Sequence, residues 1–129
     1  MGVVMDYSKL SDFEINCLVA EATGHKPFNA ELGYQGLQEP GDITAAIVRG
    51  PRCIGGFDPC KNPEQAWPLI LKNRISLVWD CAEDASSEWW NAVDQFDECR
   101  VQYQSNPLRG AMIVFLMLRE QANVQDNPT

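Results

Sequence analysis

"NPLRGAMIVFLMLREQA", residues 106–122, decides which folds are open to this chain. Asn106 before Pro107 is a helix start: Asn caps, and Pro at the first helical position has no N–H to lose. Residues 111–118, "AMIVFLML", are then apolar without a break. A helix that is apolar almost all round cannot lie on a surface, so it must be the most buried element, with Met112 and Phe115 in the core. In 129 residues there is room for one modest core, and the other elements must be those that cover this helix.

The covering elements are readable in turn. Ser11-Asp12-Phe13-Glu14 is a capping box, and Ile15, Leu18, Val19 and Ala22 recur at helical spacing behind it, with Gly24 placed to end the helix. Residues 25–42 carry Pro27, Gly33, Gly36, Pro40 and Gly41 and read as one long loop. "ITAAIV", 43–48, reads as a strand that "RGPRCIGG" stops, with Gly55-Gly56 as the turn. A second Asn-Pro start follows at Asn62-Pro63, with Gln65 as the capping-box partner, apolar Ala66, Trp67, Ile70 and Leu71, and a kink expected at Pro68. "RISLVWD" alternates as a half-buried strand; "WWNAV" and the stretch from Cys99 to Gln104 continue it as an antiparallel meander. The four Trp residues read first as core, except that neighbours Trp89 and Trp90 must face opposite ways in a strand. The expected fold is α+β, helices packed on a small antiparallel sheet, α-β-α sandwich-like. It is a single domain over residues 1–122, followed by a polar tail, 123–129.

Composition limits the chemistry. A net charge of −8 disfavours nucleic acid phosphates and anionic membranes as partners. No apolar run approaches the length of a membrane span, and "MGVVMDYSK" has no basic lead of a secretory signal, so a cytoplasmic location is expected. The five cysteines are irregularly spaced, with no C-x-x-C and a single histidine, His25, so no metal site is expected and the thiols should be reduced. His25, just past a helix end, reads as a dipole partner. The common nucleophile, metal-protease and phosphate-loop motifs are missing, so no catalytic residue and no cofactor is assigned.

Charge is unevenly distributed. Asp80, Glu83, Asp84, Glu88, Asp94, Asp97 and Glu98 come with no Lys or Arg between them, while Arg49, Arg52, Lys61, Lys72 and Arg74 precede them. Two solvated surfaces of opposite sign are the plain reading. The sharper one is an anion site. Arg49, Arg52, Gly55, Gly56 and Lys61 lead to the helix N-terminus at Asn62, where backbone N–H groups favour anions, with Trp67 available to stack and Arg74 nearby.

"LSDFEINCLVAEATG", "NPEQAWPLI", a Trp-containing strand and "NPLRGAMIVFLML", in that order, resemble the NinX-like family of small tailed-phage proteins. More distantly the chain resembles the phage α-β-α sandwich domain, which often has Asp where Asn62 stands here. The resemblance covers most of the chain, less well over 25–60, and brings no catalytic residue. It implies a phage accessory protein in the host cytoplasm. Joined to the anion site, it suggests stoichiometric capture of a small anionic, nucleotide-like molecule such as a host defence signal. The alternatives are an acidic protein–protein inhibitor or DNA mimic acting on a host protein through residues 80–98, and a small enzyme. A homo-oligomer is compatible with each.

Overall fold

The structure, a computed structural model, describes residues 5–39, 41, 43–51 and 54–126. Arg52 and Cys53, and residues 1–4 and 127–129 of the termini, lie outside the described residues. The order is a 3-10 turn (Tyr7–Lys9), α1 (Asp12–Ala22), β1 (Lys26–Pro27), β2 (Ala46–Arg49), β3 (Ile54–Phe57), α2 (Pro63–Lys72), β4 (Ser76–Cys81), β5 (Glu88–Val93), β6 (Arg100–Gln104) and α3 (Pro107–Asp126). The α+β class is as expected, but there are two antiparallel sheets, β1-β2-β3 and β4-β5-β6.

α3 is the element that the others enclose. Ala111 through Leu116 are all buried, including Met112 and Phe115. α1, α2, the 3-10 turn and all three strands of the second sheet pack against it, which is what a helix apolar on every side requires. β5 comes close at Gly110, where a Cβ would meet the Ala92 methyl at 3.5 Å. At the start of α3, Arg109 binds the N-terminal segment. Its guanidinium donates to Asp12 Oδ1 (2.8 Å), Ser8 O (2.9 Å), Leu10 O (2.8 Å) and Gln104 Oε1 (3.2 Å). Planar, multidentate donation of this kind is what Lys could not supply.

α1 has the capping box read from its sequence, Ser11 and Glu14 each accepting the other's backbone N–H, and Gly24 follows its end at φ +83°. Two local expectations are corrected. The first is that Gly55 and Gly56 form no turn: they pair with Val48 and Ile47, and β3 is a strand the sequence concealed. Glycines weaken a strand signal because they bring no side chain to the pattern. The second is that the strand over 43–48 is shifted to Ala46–Arg49, and α3 runs into the expected tail as far as Asp126. α2 runs from Pro63 to Lys72 with Pro68 inside it. Residues 25–38 are tied down by Ile47 N–H donating to Tyr34 O (2.7 Å), the Tyr34 hydroxyl to His25 O (2.8 Å), and Gln38 Nε2 to Ala45 O (2.9 Å). His25 stacks on the Phe57 ring at 4.4 Å.

β4, β5 and β6 form the antiparallel meander read from the sequence, with an irregularity in β5 between Trp90 and Ala92 opposite β6. Asp94 closes the β5–β6 turn. Its buried carboxylate accepts the N–H groups of Phe96 (3.3 Å), Glu98 (2.7 Å) and Cys99 (2.8 Å). The alternation that suggested a half-buried β4 fails at Trp79, which is half exposed because β4 is the sheet's edge.

Two measurements check this packing. Phe115→Ala should cost about 3–5 kcal/mol in denaturant unfolding, as for other large-to-small core changes. At Asp94, burial raises the carboxyl pKa, but the backbone donors outweigh it and hold the pKa below its ordinary 3.8. Its ionised form therefore adds stability that is complete above the unfolded value and is lost as pH falls through the lower folded one. Asp94→Asn should thus be less stable than wild type at neutral pH, with the gap shrinking as pH drops below 3.8.

Candidate functional site

The stretch from β2 to β4 holds the residues that the sequence singled out, and their positions follow from the hairpin and from α2. Arg49 ends β2, paired with Ile54 at the turn end of the hairpin. Its Nε donates to Phe28 O at 2.9 Å, and its guanidinium lies 5.6 Å over the Phe28 ring, so its charge is engaged within the fold. Gly55 and Gly56 lie in β3; Lys61 is exposed after the opposite end of the same hairpin. Arg74 follows the C-terminus of α2, at φ 53°, while Asn62 caps its N-terminus. Ten helical residues separate these two ends by about 15 Å. The expected set is therefore spread over a hairpin tip, the two ends of a helix, and Arg52 outside the described residues.

The N-terminus of α2 also has its donors in use. Pro63 has none; Glu64 N–H goes to Asn62 Oδ1 at 3.0 Å; Gln65 and Ala66 N–H both go to Asn62 O at 3.1 Å. Glu64 adds a carboxylate to the first turn. Gln65 does not complete a capping box. Its amide instead reaches back across the loop, accepting from Asp58 N–H (2.6 Å) and donating to Gly56 O (3.1 Å).

That reach belongs to a polar network that sequence reasoning missed. Asn16 sits in α1, fully buried, among apolar helix neighbours. Its Nδ2 donates to Thr44 O (2.6 Å) and Asp58 Oδ1 (2.7 Å), and its Oδ1 accepts Cys60 N–H (3.2 Å). Thr44 Oγ1 donates to Asp58 Oδ2 (2.9 Å), and the Asn106 side chain donates to Cys60 O. Residues 56–65 thus join α1, β2, α2 and the start of α3. A buried Asn must have such partners, so its place in an apolar helical stripe was the available signal.

Little here is poised for chemistry. Burial, with minor help from Asp12, pushes the Cys60 thiol up to about 12. Burial, with Glu14, pushes Cys17 to about 11. Both are held as thiols rather than nucleophilic thiolates. Among the described residues no three His, Cys, Asp or Glu side chains are grouped so as to hold a metal ion, and no helix is long and apolar enough to cross a membrane. A cavity of about 690 Å³ lies elsewhere, lined by Tyr7, Leu18, Glu21, Leu116, Arg119 and Glu120, and includes none of the expected site residues.

What α2 does present is apolar surface. Ala66 and Ile70 face the core, while Trp67, four residues before Leu71, is 52% exposed and Leu71 59%. Trp67, read first as core and otherwise as a stacking surface, stands on the outer face, beside exposed Pro68. The acidic stretch, in turn, is divided between the two hairpins of the meander. Asp94 is a buried turn cap, Asp97 pairs with Arg100 at 2.8 Å, and Glu98 accepts from Gln121 at 3.0 Å. Asp80, Glu83, Asp84 and Glu88 are exposed at the other end of β5.

The network and the cap are separable by mutation. Asn16→Ala should cost about 1–3 kcal/mol for each buried group left unpaired. Asn62→Ala, which removes only an N-cap, should cost about 1 kcal/mol. Thermal or urea unfolding of the two variants checks the order.

Comparison with curated proteins finds no match, and comparison with solved structures finds none either. Comparison with protein families matches residues 6–119 to the family described as Bacteriophage P22, NinX, a span from before the 3-10 turn to about two-thirds of the way along α3. The match takes in the capped α1, the Asn-Pro start of α2, the meander and the central helix together, and the chain belongs to that phage family.

Proposed function

We propose that this protein is a phage accessory protein that acts stoichiometrically, docking the outer face of α2 onto a host protein. The observation that carries the reading is the exposed Trp67–Leu71 ridge. The two residues are one helical turn apart, so they share a face on a helix whose opposite side is anchored in the core by Ala66 and Ile70. Half-exposed Trp on a rigid element is the residue type that dominates interface energetics, because it buries a large area with little loss of side-chain freedom. Exposed Lys61 and Lys72, at the two ends of α2, favour a partner groove with an acidic rim.

Capture of a small anionic, nucleotide-like molecule instead would rest on Lys61 with Trp67 as a stacking surface, since the helix N–H groups are already paired. One experiment separates the two. The wild type and Trp67→Ala/Leu71→Ala are purified from infected cells, and retained proteins and small molecules are identified by mass spectrometry. Both side chains are largely outside the core, so the variant should melt within a few degrees of wild type. A discrete host protein should be retained by wild type, and its affinity should drop by roughly thirty-fold or more in the variant, as for loss of a hot spot of about 2 kcal/mol. Retention of a nucleotide-like molecule with no protein, or a partner unaffected by the variant, would overturn the proposal.

A further inference from the structure

β4 is an edge strand with an open side. Ala82 N–H donates to Ser87 O at 3.0 Å, in line with the register that pairs Ser76 with Val93 and Val78 with Asn91. Antiparallel ladders alternate, so Ser76, Val78 and Asp80 turn their backbone groups toward β5. Leu77 and Trp79 turn theirs to the open side. Beyond them the side is closed, because Asp80 Oδ1 accepts the N–H of Cys81 at 2.8 Å. The side chains at this edge are apolar and half exposed, Val78 at 47% on the face away from α3 and Trp79 at 51% on the other.

The charges flanking the strand have opposite signs. Lys72 and Arg74 precede it; Asp80, Glu83 and Asp84 end and follow it, and all five are exposed. Among the described residues the ion pairs are Arg100–Asp97 and Arg109–Asp12, so none of these five has an ionic partner. A strand with a basic start and an acidic end is complementary to itself when run antiparallel.

We propose that two copies of this chain pair through β4, antiparallel about a two-fold axis at Val78, joining their meanders into one continuous sheet. Leu77 of each copy then lies opposite Trp79 of the other, and the open N–H and C=O groups of both residues are satisfied across the axis. The same axis brings the Lys72/Arg74 end of each copy to the Asp80/Glu83/Asp84 end of the other. The half-exposed Trp79 ring is covered by the second copy's Leu77. Pairing at this edge also explains how so apolar an edge strand, with no inward charge or proline, avoids open-ended association: the two-fold consumes both open sides.

Sedimentation velocity on the full chain tests this. Wild type should sediment as a dimer. Lys72→Glu/Arg74→Glu and Glu83→Lys/Asp84→Lys should each raise the dimer dissociation constant at least ten-fold, and an equimolar mixture of the two should recover it as a heterodimer. Trp79→Thr and Trp79→Pro both remove the indole, but only the second removes the outward N–H, so it should weaken the dimer ten-fold further. A wild type that stays monomeric at millimolar concentration, or charge variants that stay dimeric, would overturn the proposal. So would a mixture that fails to restore the dimer. Should Trp79→Pro unfold, the charge-reversal pair decides alone.

Discussion

One helix with no polar side sets the terms for everything else in this protein. Through residues 111–116 α3 is buried at every position, so no arrangement of the remaining chain is acceptable unless it encloses the helix. α1 and α2 take up part of its circumference, the meander another, and the N-terminal segment is held over its start by the Arg109 fork. Each covering element must give up an apolar face to α3. What remains for solvent or for a partner is determined by which faces are left over.

That constraint explains where four of the exposed apolar residues lie. α2 uses Ala66 and Ile70 against the core, leaving Trp67 and Leu71 outward; β4 lies at the margin of a sheet that meets α3 mainly through β5 and β6, leaving Val78 and Trp79 partly uncovered. A monomer this size normally scatters its exposed large hydrophobics. Leu37, Phe96 and Tyr103 follow that pattern, whereas Trp67 and Leu71 share one face of α2, a geometry suited to a binding surface. The polar network through Asn16, Asp58, Gln65 and Asn106 has the complementary role, fixing the loop before α2 so that the ridge is presented on a rigid support.

The features legible in the sequence were those with local causes. The Ser11–Glu14 box, the Asn-Pro starts, the meander and the buried helix each follow from residues within a few positions of one another, and the structure has all of them. β3 was hidden because Gly55 and Gly56 have no side chains to alternate. The anion site was legible only as composition. Whether Arg49, Lys61 and Arg74 meet depends on the direction of a hairpin and the length of a helix, and Arg49 turned out to be occupied by Phe28. Trp67 and Trp79 were misplaced for a related reason, since periodicity identifies an apolar stripe but not how much of its width the neighbouring elements cover.

Native-state hydrogen exchange tests the central claim, that α3 is the enclosed element on which the fold depends. If α3 is covered on all sides, the amides of residues 111–116 should exchange only through global unfolding, with a free energy equal to that from denaturant titration. The outer elements should open at lower free energies. Exchange of 111–116 by a partial opening well below the global value would contradict the account, because it would mean that some face of the helix can be exposed while the rest of the protein stays folded.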